Sequence, residues 1–226
     1  MEKRPQVTSR RPSKDIADPL LTAGKIRLIM ALRKNGITDT GVLAALEHIP
    51  REAFVPEQFY THAYDDQALP IDCEQTISQP TTVAMMTQAL KLDAKHVVLE
   101  IGTGSGYQAA ILAVLARRVH TIERHKPLLD VAMTRFDALK LRNITAHLGD
   151  GARGWPHAAP YDRIIVTAAS EDIPPALLDQ LAMDGIMIIP LGDHVADQQL
   201  YRVTKTVEGV SAEPLVSVRF VPLVSE

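Results

Sequence analysis

The sequence is short of cysteine, of net charge and of long apolar runs. Cys73 is the single cysteine in 226 residues, so no intrachain disulfide can form, which suits a reducing compartment. The formal net charge is −3, so no global basic field points to nucleic acid as a partner. No apolar run reaches the roughly 20 residues that span a bilayer. The opening MEKRPQVTSRRPSKD also lacks the apolar stretch of a signal peptide. A cytoplasmic protein with no membrane partner is expected.

Other absences narrow the chemistry. His48, His62, His96, His120, His125, His147, His157 and His194 are scattered, with no i, i+4 pair and no H-E-x-x-H, so no metal site is expected. The phosphate-binding pattern G-x-x-x-x-G-K-[ST] is missing, which argues against a nucleoside triphosphate. There is no internal repeat and no low-complexity tract.

What is present is ordinary globular material, 46% hydrophobic and 23% charged, enough for one large domain with a substantial core. Residues 1–20 carry Lys3, Arg4, Arg10, Arg11 and Lys14 among Pro5, Pro12 and Pro19 and read as a solvated, disordered basic tail. Residues 21–226 read as a single domain, with a helical part over 21–95 and a sheet over 96–226. AGKIRLIMALRKNG has Ile26, Ile29, Met30 and Arg33 at helical spacing and Gly36 as a stop. TDTGVLAALEHIP and TTVAMMTQALK are two further helices, and ALPIDCEQTIS is a loop or short hairpin.

From His96 seven strand-like runs follow: HVVLEI, RVHTIE, NITAHLG, YDRIIVTA, GIMIIPL, QLYRVTK and LVSVRFVPL. Helix-length segments separate the first few, as parallel pairing requires. HVVLEI and RIIVT are nearly continuously apolar, as strands covered on both faces are. The last two lie close together and read as an antiparallel pair. The expected fold is α/β: a doubly wound, mostly parallel seven-stranded sheet, preceded by helices.

Gly102, Gly104 and Gly106 follow the first strand and open a helix. Glycine there permits a sharp turn and close approach to a ligand. Glu100 lies in that strand. Glu123 closes the next, about 20 residues on, where an acid can bond a ribose hydroxyl. Gly149-Asp150-Gly151 follows the third. Each acid alone can be read as a turn cap or a solvated loop end. In order, they describe a nucleoside pocket without a phosphate-binding lysine, and S-adenosyl-L-methionine fits best.

IPREAFVP, ALPI, QTISQP, VLEIGTGSGYQAAILA, YDRIIVTAA, PALLDQL and RFVPL together resemble the bacterial protein-L-isoaspartate O-methyltransferases, in the family's order. The resemblance runs from Ile49 to Glu226 and leaves out residues before about Ala23. It implies methyl transfer from S-adenosyl-L-methionine, leaving S-adenosyl-L-homocysteine, to the free α-carboxylate of L-isoaspartyl residues in damaged proteins and peptides. It implies Ser78 as the active-site residue. It sets the cofactor against Thr76, Ile77, Gln79, Glu100, Gly102, Gly104, Gly106, Glu123, Arg124, Asp150 and Gly151. A monomer is expected.

QTISQP contains no side chain able to act as a base. The implied reaction needs none, because an α-carboxylate with a pKa of about 3.5–4 is already ionised at neutral pH. The residue-level alternative is that Ser78 caps the helix after it. The chain departs from the family where Asp72, Cys73 and Glu74 stand in place of glycines, setting two carboxylates at the expected substrate entrance, and at Thr81. Two rival readings remain at this level. One is a methyltransferase of this fold acting on another carboxylate or a hydroxyl; the other is a cofactor-binding module without turnover. Asp65 and Asp66 read as a turn, Met85 and Met86 as core. Trp155 reads as a packed surface aromatic, or as a roof over the adenine.

Overall fold

The computed structural model describes residues 18–192 and 198–224. The expected disordered tail lies outside the described residues from 1 to 17. Its last residues are not tail: helix α1, Pro19–Lys34, starts on a cap in which Asp18 accepts the Leu20 amide at 2.9 Å. Proline at the first helical position needs no amide partner. The buried face of α1 is Leu21, Leu28 and Leu32, whereas Ile26 and Met30 are 56% and 67% exposed. Both sets have helical spacing, and the neighbours decide which one turns inward. Helix α2, Thr40–His48, is capped by Asp39, which accepts from Gly41 and Val42.

Strands β1, Leu69–Pro70, and β2, Thr76–Ile77, form a short antiparallel hairpin. Helix α3, Pro80–Ala89, leads to the main sheet. There the chain runs β3 (Val97–Ile101), α4 (Tyr107–Leu115), β4 (Arg118–Glu123), α5 (Lys126–Ala138), β5 (Ile144–Leu148), β6 (Tyr161–Val166), α6 (Pro175–Gln180), β7 (Leu181–Leu191), β8 (Gln198–Thr206) and β9 (Gly209–Val218). The strand order is β5-β4-β3-β6-β7-β8-β9. The first five strands in sequence are parallel; β8 runs antiparallel to β7, and β9 to β8.

β3 is flanked by β4 on one side and β6 on the other, so the strand order reverses at its end. A crevice forms there in open α/β sheets. Alternation along the strands feeds two cores. Val98 and Ile165 face the helices α1 to α4, while Leu99, Ile101, Ile164 and Val166 face Leu177 of α6. Between β5 and β6 there is no α-helix, only 3₁₀ turns at Gly151–Arg153 and Pro156–Ala158. Trp155 in this connection stacks on His147 at 3.9 Å, and His147 hydrogen-bonds His120 at 3.1 Å. The tryptophan is therefore a packed aromatic and not a roof over a ligand.

The seventh strand differs from the sequence reading. It runs Gly209–Val218, and RFVPL leaves the sheet. The Gln198 side chain replaces a neighbouring strand there, accepting the Phe220 amide at 2.6 Å and donating to its carbonyl at 3.1 Å. Pro222 offers no amide to continue a ladder. The segment instead turns back over the strand ends. Ala169 donates to the Val221 carbonyl at 2.8 Å, and Leu223 donates to the Ala169 carbonyl at 2.6 Å.

Candidate active site

The glycine turn sits at the end of β3. Gly102 has φ +93°, and a Cβ there would stand 2.4 Å from Thr167 Oγ1. Gly106 has φ +89° and stands at the cap position just before α4; a Cβ there would meet the Phe136 ring at 2.8 Å. Side chains are thus excluded both by conformation and by space. Gly104 donates its amide to Glu123 Oε2 at 2.8 Å, and His125 donates to Oε1 at 2.9 Å. Each carboxylate oxygen keeps acceptor capacity for a further donor.

Three cavities lie in a row along the strand ends. The largest, about 970 Å³, is lined by Thr76, Ile77, Ser78 and Gln79, by Gly102, Thr103 and Ser105, and by Val216 to Val221. The second, about 120 Å³, shares Thr76, Gly102, Thr167 and Val221 with the first and adds Gly104, Glu123, Arg124 and Gly151. The third, also about 120 Å³, holds Asp150 and shares Arg124 and Val224 with the second. The structure therefore brings together all but two of the site residues expected from the sequence.

Those two are Gly106, which faces the Phe136 ring, and Glu100. Glu100 is fully buried on the helix-facing side of β3 and lines none of the three cavities. Thr121 donates its hydroxyl to Glu100 Oε2 at 2.5 Å, and Thr121 is itself bonded to Thr103 at 2.6 Å. Among the described residues Glu100 Oε1 has no hydrogen-bond partner. Burial pushes its pKa up to about 8. Its observed contacts brace the glycine turn from behind.

Ser78 lies between β2 and α3. It does not cap α3: the cap position is Gln79, with no side-chain cap bond. The helix start is held instead by Asp66, whose carboxylate accepts the Thr81 amide at 2.8 Å and the Thr81 hydroxyl at 2.6 Å. On its other side the Ser78 carbonyl accepts from Arg51 Nη2 at 2.9 Å. Among the described residues no His, Cys, Asp or Glu lines the largest cavity, and the one charged lining residue is Arg219. Met85 and Met86 do line it, although Met86 is buried in the core as expected.

The loop that departs from the family is a tight turn. Gln75 donates to the Asp72 carbonyl at 3.2 Å, with Cys73 and Glu74 at φ +57° and +58°. Positive φ at both central positions defines the hairpin turn that favours Asn-Gly. Asp72, Cys73 and Glu74 line none of the three cavities, although the adjacent Gln75 lines the second. Arg51 and Thr167 were not singled out from the sequence, Asp66 was read only as part of a turn, and the Val216 to Val224 stretch as strand and not as a strap. IPREAFVP carried a signal for Arg51, a cation set in an apolar segment. Among the described residues no group of three His, Cys, Asp or Glu could hold a metal ion.

The comparisons agree with this geometry. The family model described as protein-L-isoaspartate(D-aspartate) O-methyltransferase matches residues 23–226. A protein-L-isoaspartate O-methyltransferase of Paramagnetospirillum magneticum is 60% identical over 200 residues, covering 88% of this chain and 94% of that one. One from Rhodospirillum centenum is 58% identical over 205 residues, covering 90% and 93%. A solved protein-L-isoaspartate O-methyltransferase superposes with a TM-score of 0.81 at 28% identity, covering 89% of this chain and 66% of that one. A Plasmodium falciparum structure assigned to the same enzyme, in complex with S-adenosyl-L-homocysteine, gives 0.77 at 25% identity and covers 88% and 97%. With nine-tenths of its length matched at such identity, and with the same fold, the chain belongs to the protein-L-isoaspartate(D-aspartate) O-methyltransferase family.

Proposed function

We infer that this protein transfers a methyl group from S-adenosyl-L-methionine to the free α-carboxylate of L-isoaspartyl residues in damaged proteins and peptides, initiating their repair. The observation that carries this reading within the site is a large cavity beside the glycine turn that holds the Ser78 hydroxyl and, among the described residues, no His, Cys, Asp or Glu. A hydroxyl acceptor would call for a base to remove its proton. A carboxylate is already ionised and calls only for orientation. The cavity therefore favours the carboxylate reading over a hydroxyl-directed methyltransferase.

The residues fit the cofactor. The glycine turn leaves room for a ligand against its backbone, and Glu123 retains acceptor capacity for a ribose diol in the second cavity. Asp150 in the third cavity suits an adenine amino group. Thr76, Ile77, Gln79, Gly102, Gly104, Arg124 and Gly151 complete the wall, and Gly106 shapes the turn. The cofactor supplies an electrophilic methyl on a sulfonium that leaves as a thioether. Ser78 orients the acceptor carboxylate by donating its hydroxyl to one oxygen. The strap from Val216 to Leu223 helps to exclude water from the walls of the first two cavities. No proton moves in the transfer. The methyl ester then collapses to a succinimide by attack of the neighbouring backbone nitrogen, with loss of methanol, and needs no protein group.

A cytoplasmic monomer is the assembly this reading carries. The sheet edge supports the monomer: β9 is largely exposed and carries Pro214, and its Glu213 is paired with Arg202 at 2.5 Å, features that blunt an edge against pairing. Among the described residues no helix is long and apolar enough to cross a membrane. The test uses labelled S-adenosyl-L-methionine with two peptides identical except for an isoaspartyl or an aspartyl linkage. Base-labile label on the isoaspartyl peptide alone is expected. Equal labelling of both peptides, or none with cofactor bound, would refute the assignment.

A further inference from the structure

Arg51 is fully buried, yet among the described residues no carboxylate pairs with it. Among the described residues its Nε and Nη1 have no hydrogen-bond partner, while Nη2 donates to the Ser78 carbonyl, and the Tyr107 hydroxyl and the Asp66 carboxylate act on the guanidinium electrostatically. Burial lowers its pKa from the ordinary guanidinium value. A buried charge without a counterion is costly, and an apolar residue of similar size is often neutral or stabilising in its place. The arrangement around Arg51 says what the cost supports.

Its guanidinium lies over the Tyr107 ring, 4.8 Å from the centroid. Tyr107 packs edge-on against Phe54 at 5.4 Å, and Arg135 lies over Phe54 at 5.8 Å. Arg135 then donates to the Ser105 carbonyl at 2.8 Å. The stack Arg51–Tyr107–Phe54–Arg135 thus has a hydrogen bond at each end, one to Ser78 and one to the glycine turn. Tyr107 also begins α4 directly after Gly106. With Asp66 holding Thr81, the segment from Ser78 to Thr81 is pinned at both ends.

We propose that Arg51 is a positioning residue for methyl transfer: it sets the Ser78 hydroxyl relative to the glycine turn by gripping the Ser78 carbonyl. The proposal rests on the methyl-transfer reading given above. The geometry calls for alignment between two segments that are far apart in the sequence. A loss of alignment lowers turnover more than it lowers binding.

Arg51→Met and Arg51→Lys test it, each in the wild-type and the Ser78→Ala background. Arg51→Met is expected to melt at or above the wild-type temperature and to bind S-adenosyl-L-homocysteine within twofold of it. Its kcat on an isoaspartyl peptide should fall at least tenfold with KM little changed, and Arg51→Lys should recover part of the loss. In the Ser78→Ala background Arg51→Met should cost less than a further twofold, since both act through one hydroxyl. Amide exchange should quicken over residues 77–82 alone. An unchanged kcat, an equal loss in both backgrounds, or a loss that merely tracks the folded fraction would overturn the role. If Arg51→Met does not fold, Arg51→Lys is read by the same criteria. The exchange measurement needs no turnover, so unchanged exchange refutes the grip even if the wild type methylates nothing, an outcome that separately refutes the methyl-transfer reading.

Discussion

Glu123 closes β4 and accepts the amide of Gly104 at 2.8 Å, so the carboxylate at the end of one strand fastens the turn at the end of its neighbour. The same carboxylate accepts the His125 amide at 2.9 Å and lies against the second cavity. One side chain both shapes the cradle and faces the ligand. The sheet order makes this possible, because β4 is the direct partner of β3.

Glu123→Gln should therefore harm both properties. An amide offers one acceptor oxygen, so one of the two backbone donors loses its partner. Cofactor affinity should fall roughly ten- to hundredfold, corresponding to about 1.5–3 kcal/mol for bonds to a charged group. The melting temperature should fall as well. Calorimetry with S-adenosyl-L-homocysteine and a thermal melt measure the two effects, and unchanged affinity would remove Glu123 from the cofactor site.

Glu100 predicts a pH dependence of stability. Burial raises its pKa to about 8 from a usual 4.5. The folded protein therefore holds this proton where the unfolded chain has released it. The stabilisation is whole below about pH 4.5, declines as pH rises, and is lost above about pH 8. The slope is at most about 1.4 kcal/mol per pH unit for one proton. Denaturant unfolding of the wild type and Glu100→Gln across this window checks it. The stability difference, wild type minus variant, should fall with pH; a constant difference contradicts the assignment.

The hairpin turn holds two side chains where glycine is favoured. Left-handed backbone costs a non-glycine residue about 1–2 kcal/mol. Glu74→Gly relieves this at φ +58° but gives the unfolded chain more freedom. The net gain should be about 0.5–1 kcal/mol, with kcat unchanged because Glu74 lines none of the three cavities. A melt and a turnover assay on this variant suffice; a loss of stability would mean Glu74 makes contacts that outweigh the strain.

The parts of this architecture that were legible are those written locally. Gly102, Gly104 and Gly106 announce a turn by their spacing, and at Gly102 and Gly106 a side chain would clash with Thr167 and Phe136. Glu123 and Asp150 announce their places because they end apolar runs. The seven strands follow from the same runs. What escaped depends on partners distant in the chain. The inward face of α1 is chosen by packing, and Ile26 and Met30 have the same spacing as the leucines that are buried. Arg51 meets Ser78 across 27 residues. RFVPL reads as strand by composition, yet Gln198 takes the ladder bonds of Phe220 and releases the rest to cover the site. Glu100 was read with Glu123 and Asp150 as one of three acids of a nucleoside pocket, and its alternation along β3 turns it the other way.

Ser78 is where the two readings of QTISQP separate. Had the hydroxyl been the helix cap, Ser78→Ala would cost about 1 kcal/mol of stability and spare turnover per folded molecule. The helix start is instead held by Asp66 on Thr81, and the Ser78 backbone by Arg51; neither bond uses the Ser78 side chain. The melting temperature and S-adenosyl-L-homocysteine affinity of Ser78→Ala should therefore stay close to wild type. Its kcat should fall roughly ten- to hundredfold, the worth of one hydrogen bond to a charged group. Because among the described residues no His, Cys, Asp or Glu lines the cavity and the acceptor carboxylate is ionised above about pH 4, turnover should not titrate between pH 6 and 7 in either protein. A titration there in the wild type that vanishes in Ser78→Ala would mean that the hydroxyl works with a base the cavity does not contain, and the orienting role would fall.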